Sequence, residues 1–356
     1  MEIKPLVIGN IKIPFPIVQG GMGVGISLSG LASAVTNAGG LGVISSAQIG
    51  YREKGFFDNA KKCNLKALKD EIKLAKEKTN NGPIGVNIMV ATRDYEDYVK
   101  TAIEAGIDII VSGAGLPTML PKIVKGTKVK IAPIVSSLKA ARVLLKLWDK
   151  HDNVTADMVV IEGPKAGGHL GFHKENLEEE TKNFSKTVEQ IIPEVKKYEE
   201  KYDKKIPVIV GGGVFDGSDI YKYLKLGADG VQMATRFVAT EECDADIKYK
   251  ECYVKAKESD VVIVNSPVGM PGRAILNDFV KKTRESKIEI TKCFRCLAAC
   301  NPAKAPYCIS KALINAVKGN VDEGLIFCGS NVDKVKEITT VNNIFSEIKD
   351  FLLKAE

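Results

Sequence analysis

Short, continuous apolar runs of four to seven residues alternate along the chain with longer stretches in which apolar residues recur every three or four positions. The short runs fall at 15–20, 41–45, 84–89, 107–112, 129–135, 158–162, 207–210 and 230–233. Unbroken runs rich in Val and Ile are the pattern of strands buried on both faces of a parallel sheet. The periodic stretches at 29–38, 65–79, 95–105, 138–148, 186–201 and 218–226 predict amphipathic helices. Strand and helix alternating eight times predicts an α/β fold, a closed (β/α)8 TIM barrel, with a doubly wound open sheet as the structural alternative.

Ala38-Gly39, Ala105-Gly106 and Gly227-Ala228 each stand between a predicted helix and the next strand. Glycine there can take the left-handed backbone that stops a helix. Two regions break the rhythm. Residues 174–205 are highly charged and too long for a plain connection, which predicts an insertion carrying a helix after the sixth strand. From 244 onward the alternation is lost. The expected organisation is a barrel over 1–243 and a C-terminal cap or lid over 244–356, its Cys-rich tail packed on the barrel.

Composition changes this picture little. With 356 residues, 45% apolar and 27% charged, the chain can bury one large core and is unlike a disordered sequence. The net charge of +7 comes from scattered lysines without an aromatic-interleaved basic stripe, which argues against nucleic-acid binding. No apolar run reaches spanning length, and residues 1–10 lack a basic start followed by a long apolar stretch. Neither a membrane span nor a signal peptide is therefore expected. Eight cysteines without a secretory signal point to reduced thiols and a cytoplasmic location. The oligomeric state is not readable, a homodimer being one option.

In a barrel the chemistry sits where strands run out into βα loops. Glycines gather there, in Gln19-Gly20-Gly21-Met22-Gly23, Glu162-Gly163-Pro164-Lys165-Ala166-Gly167-Gly168-His169 and Gly211-Gly212-Gly213. The eighth strand ends in Gln232-Met233-Ala234-Thr235. Loops after strands seven and eight are the usual phosphate site of this fold, so Gly212, Gly213, Ala234 and Thr235 predict a phosphate cup, with the Thr235 hydroxyl as a donor. Phosphate alone does not separate a flavin from a sugar phosphate or a nucleotide. Close backbone at Gly20–Met22 and the amide of Asn87 would suit an isoalloxazine ring. His169, one of three histidines, lies among glycines at a strand end, where an imidazole suits proton transfer. Plain turn chemistry for the glycines, and structural roles for Asn87 and His169, are the competing readings.

At these residues the sequence resembles the nitronate monooxygenases, formerly called 2-nitropropane dioxygenases, and the related FMN-dependent enoyl-acyl-carrier-protein reductases. The matching stretches are 16–23 with 38–44, 85–89, 111–117, 162–171, 207–216 and 227–237, in family order. The resemblance implies an FMN-binding TIM barrel with His169 as the catalytic histidine. It implies cofactor contacts at Gly21, Met22, Asn87, Glu162, Gly167, Gly168, Gly212, Gly213 and Gln232 to Thr235, including Met233 and Ala234. The implied substrate is a small molecule, an alkyl nitronate with O2 as co-substrate. The alternative is an enoyl thioester reduced with NAD(P)H. Glu162 stands where many of the monooxygenases have Gln, and resembles the reductase branch; the Cys-rich tail resembles that of bacterial sequences grouped with the monooxygenases. Four of its cysteines, Cys293, Cys296, Cys300 and Cys308, could bind zinc or an iron–sulfur cluster, but their spacing matches no standard pattern. No metal site is expected, and the thiols are read as buried side chains of a cap.

Overall fold

Eight parallel strands form the centre of the structure, a computed structural model that describes residues 3–355. They are β1 (Ile17–Gln19), β2 (Gly42–Ser45), β3 (Ile84–Met89), β4 (Ile109–Gly113), β5 (Lys130–Val135), β6 (Val159–Glu162), β7 (Val208–Gly211) and β8 (Gly230–Met233). Neighbours follow the order β1-β8-β7-β6-β5-β4-β3-β2. The ring closes where Val18 bridges Leu41 in parallel, with the Gln19 N–H on the Leu41 carbonyl at 2.9 Å. The buried Gln19 side chain clips this seam: its Nε2 donates to the Val43 carbonyl at 2.9 Å, and its Oε1 accepts the Val43 N–H at 3.3 Å. The closed barrel, rather than the open sheet, is what forms.

Alternation along each strand explains the unbroken apolar runs. Val18, Val43, Val111, Ala132, Val160 and Ile209 fill the barrel interior, while Ile17, Ile44, Val86, Ile110, Ile161 and Val210 face the helices. Both sides are dry, so both must be apolar. An N-terminal antiparallel hairpin (Leu6–Ile8 with Ile11–Ile13) adds Leu6, Ile8 and Ile13 to the interior cluster. The sequence pattern missed it, because two three-residue strands carry too little periodicity to register.

The helices following the strands are α1 (Ser29–Asn37), α2 (Ala60–Lys78), α3 (Tyr95–Glu104), α4 (Leu120–Val124), α5 (Leu138–Asp152), α6 (Leu177–Tyr202), α7 (Gly217–Lys225) and α8 (Thr235–Val238). Gly39, Gly106 and Gly227 take φ of 100°, 84° and 95°, as the helix stops require. α2 starts before its expected first residue because the Asn59 side chain caps it, accepting the Lys62 N–H at 3.1 Å. α6 is the predicted insertion helix, and it also starts earlier, with Glu178, Glu179 and Glu180 in its first turn. Carboxylates suit the positive end of a helix, but a charged turn hides apolar periodicity.

Beyond β8 the chain forms α9 (Ile247–Lys255), an antiparallel hairpin of β9 (Val261–Asn265) and β10 (Pro271–Ile275), then α10 (Asp278–Glu285), α11 (Ile309–Val317) and α12 (Val341–Lys354). α8 has only four residues, and α12 takes its place in the outer ring, packed on α7 and α1. Phe345 of α12 stacks on Phe237 at 6.1 Å between ring centres and meets Phe15 at 5.7 Å. Among the described residues no helix is long and apolar enough to cross a membrane.

Candidate active site

The strand ends and the C-terminal segment together enclose a cavity of about 380 Å³. That volume lies within the range usual for small-molecule and cofactor sites. Gly21, Met22, Asn87, Glu162, Gly167, Gly168, His169, Gly212, Gly213, Gln232, Ala234 and Thr235 all line it. Of the residues singled out in the sequence, Met233 alone does not. Its side chain is buried in the core between barrel and helices, because alternation along β8 turns it away from the neighbouring Gln232. What Met233 offers the site is its carbonyl, which accepts the Gly20 N–H at 2.8 Å and so fixes the first glycine loop.

His169 is more firmly held than a loop residue would be. Gly168 and His169 form a short strand that pairs antiparallel with β10, with His169 opposite Gly272, and the Leu170 N–H donates to the Pro271 carbonyl at 2.8 Å. The buried Arg273 splints the preceding loop by donating to the Pro164 and Ala166 carbonyls. The imidazole Nε2 lies 2.6 Å from Ser266 Oγ. Ser266 sits in the β9–β10 turn and is only 8% exposed, and its Oγ also accepts the Val268 N–H at 3.3 Å. The ring of Phe327 meets the imidazole edge-on, 5.0 Å between centres. Burial pushes the imidazole down to about 4, so it is neutral at physiological pH rather than titrating near it. Burial pushes the Glu162 carboxyl the other way, up to about 7, and no side chain or backbone group among the described residues offsets it.

These residues fit a flavin. Gly212 and Gly213 have φ of 96° and 86°, and a Cβ at Gly212 would stand 2.8 Å from the Gly163 carbonyl oxygen. Only glycine fits there, which bares backbone beside the cavity for an anion. A Cβ at Gly21 would stand 2.3 Å from the Asn87 Cβ, so the first loop lies flat against β3 and leaves a slot beside it. Glu162, at the end of β6, is a carboxyl without a partner among the described residues, which a ring N–H could satisfy.

The C-terminal segment supplies residues the sequence reading did not find. Phe327, Cys328, Gly329 and Asn331 line the cavity, as do Lys165, Met270 and Leu313. The Gly329 N–H donates to Thr235 Oγ1 at 3.1 Å, and Asn331 Nδ2 donates to the Gly213 carbonyl at 3.2 Å. Thr235 Oγ1 is thus an acceptor in the protein, with its hydroxyl proton still to give. Ser266 left one sequence signal: Asn265-Ser266-Pro267-Val268-Gly269 between two apolar runs reads as a hairpin turn.

Comparison with known proteins agrees with this geometry. The family described as nitronate monooxygenase matches residues 4–350. A probable nitronate monooxygenase of Staphylococcus saprophyticus is 28% identical over 315 residues, covering 82% of this chain and 83% of that protein. The structure of FabK from Thermotoga maritima superposes with a TM-score of 0.71 at 29% identity, over 96% of this chain and 94% of that one. A nitroalkane oxidase from Streptomyces ansochromogenes gives the same TM-score at 20% identity, over 96% and 97% of the two chains, a likeness of fold.

Proposed function

The chain belongs to the nitronate monooxygenase family, and from that premise we propose that it is an FMN-dependent oxidoreductase that oxidises alkyl nitronates with O2. The observation carrying the proposal is a half-buried imidazole, braced by Ser266 at 2.6 Å, facing a glycine-lined cavity of about 380 Å³. In this reading Gly212, Gly213, Ala234 and Thr235 take the phosphate. Gly21, Met22, Asn87, Glu162, Gly167, Gly168 and Gln232 surround the ring. The mononucleotide is favoured over a dinucleotide because Cys328–Asn331 lies across the phosphate end, tied to Thr235 and Gly213. The flavin supplies the electron transfer between substrate and O2.

The protein's own contribution is orientation, exclusion of water and control of one proton. Ser266 Oγ accepts the Val268 N–H and meets His169 Nε2 at 2.6 Å; in the proposed tautomer the hydroxyl proton is given to Nε2, and the N–H on the other ring nitrogen binds a nitro oxygen. A neutral imidazole adds no charge that would hold an anion too tightly in the ground state. Met270, Leu313 and Ile26 wall the cavity with apolar surface. The region from 244 onward, through Phe327 to Asn331, acts as the cap on the barrel.

Anaerobic mixing of the flavin-loaded protein with propyl-2-nitronate should change the flavin spectrum, and oxygen should be consumed in air. Ser266→Ala should lower kcat/KM by about 10- to 100-fold with FMN content unchanged, and His169→Ala by at least as much. If instead the nitronate is inert while NADH bleaches the flavin and crotonyl thioester restores it, the activity is enoyl-thioester reduction.

A further inference from the structure

A phosphate monoester carries a charge of about −1.5 to −2 at neutral pH, and the cup assigned to it above meets that charge with neutral groups. Gly212, Gly213, Ala234 and Thr235 offer backbone N–H groups and one hydroxyl. Among the described residues no protein acceptor takes the N–H of Gly212 or of Gly213. Such donors suit an oxyanion, yet an anion drawn out of water also calls for a counter-charge. Of the described residues lining the cavity, Lys165 alone carries a full positive charge. No arginine and no other lysine is among them, and the His169 imidazole is neutral.

Lys165 stands at the phosphate end of the cavity and is fixed there. A Cβ built on Gly213 would lie 2.9 Å from the Lys165 Cβ and 3.1 Å from its Cδ, so the lysine stem runs directly across that glycine. The backbone carrying the stem has three successive carbonyls engaged. Arg273 donates to those of Pro164 and Ala166, and the Lys165 carbonyl accepts the Ser330 N–H at 3.2 Å. Ser330 belongs to the same segment that ties Gly329 to Thr235 and Asn331 to Gly213. The ammonium, by contrast, has no carboxylate to answer: among the described residues Lys165 forms no ion pair. Glu162, three positions earlier, is governed by burial alone. Lys165 is exposed on its outer side while it lines the cavity, so its flexible stem places the charge at the rim.

We propose that Lys165 is the counter-charge of the FMN phosphate and sets the preference of this chain for FMN over unphosphorylated riboflavin. The inference rests on the FMN reading above and deepens it. The division of labour is physical: the glycine loops supply direction through fixed N–H groups, and Lys165 supplies charge. A charge at a water-facing rim is screened by salt, whereas N–H groups inside the cavity are screened much less. The two contributions therefore separate with ionic strength. The anionic substrate is the other candidate for this charge, but the geometry divides them. His169 is turned to Ser266 and Phe327, while the Lys165 stem is turned to Gly213.

The test titrates FMN and riboflavin into the full chain stripped of flavin, following the quenching of flavin fluorescence at low and at high ionic strength. Lys165→Met keeps the stem and drops the charge. It should weaken FMN about tenfold at low salt and leave riboflavin within about twofold. High salt should shrink the FMN difference, and Lys165→Arg should restore most of the affinity. Lys196→Met, on the exposed side of α6, makes the same change in net charge and should alter neither ligand. Equal losses of FMN and riboflavin would make Lys165 a packing residue and overturn the proposal. So would an equal effect from Lys196→Met, or unchanged FMN affinity with a raised KM for the nitronate. Wild-type protein that binds neither flavin removes the FMN reading together with this one, whereas wild type that binds FMN and a variant that binds it equally removes this one alone. If the stripped chain does not stay folded, the rate at which FMN leaves the intact holoprotein on dilution reads the same contrast.

Discussion

Glu162 and His169 both line the cavity, and burial moves them in opposite directions. Glu162 is raised from 4.5 to about 7, so its folded form resists ionising; the stability that depends on its neutral form is present below pH 4.5 and lost as pH rises through about 7. His169 is lowered to about 4, so its contribution is present above pH 6.5 and lost as pH falls through about 4. The flavin-free protein should therefore gain stability from Glu162→Gln at pH 8, by about 1–3 kcal/mol, with the gain shrinking toward pH 5. Thermal melts at the two pH values measure this, and equal melting of variant and wild type at pH 8 would show the carboxyl to be satisfied within the protein. Nothing in the sequence announces such environments. His169 was recognisable from its glycines, whereas its partner Ser266 lies 97 residues away, in a turn whose sequence marks a bend but not a meeting with His169.

At the scale of elements, the glycine loop after β1 is held by a residue far along the chain. The N-cap position of α1, Leu28, has no side chain to offer, and Asp244 serves instead. Its carboxylate accepts the N–H groups of Leu28 at 2.8 Å, Gly30 at 3.1 Å and Leu31 at 3.0 Å. Glu71 of α2 takes the Ser29 N–H at 2.8 Å. Asp244→Ala should destabilise the protein by about 2–4 kcal/mol, more than an ordinary cap because three buried donors are orphaned together. Asp244→Asn should recover part of the loss. Urea unfolding reads both, and a change below about 0.5 kcal/mol for the alanine would remove the capping role. The eight barrel strands were legible because burial on two faces leaves uninterrupted apolar runs. The β9–β10 hairpin left only its turn as a signal, since Val261, Val262 and Ile263 are only partly buried and its pairing with Gly168–His169 is a long-range contact.

At the scale of the whole molecule, barrel and C-terminal region are built into each other. Phe345 joins Phe237 and Phe15 across the seam, and a Cβ on Gly217 would strike the Phe351 ring at 2.6 Å, so α12 lies hard against α7. Phe345→Ala should cost about 3–5 kcal/mol of stability and leave the affinity for FMN within about twofold, since the ring lies outside the cavity. Calorimetry with a flavin titration checks both halves, and an unchanged melt would mean the ring is dispensable.

The place of α12 also bears on how the chain is made. A ribosome delivers residues in order, and the eighth position of the outer ring is filled by α12, made about a hundred residues after α8. Until it emerges, the apolar flank shared by α1 and α7 has nothing to cover it. The nascent barrel must wait, nearly complete and still adhesive, for α12 to arrive.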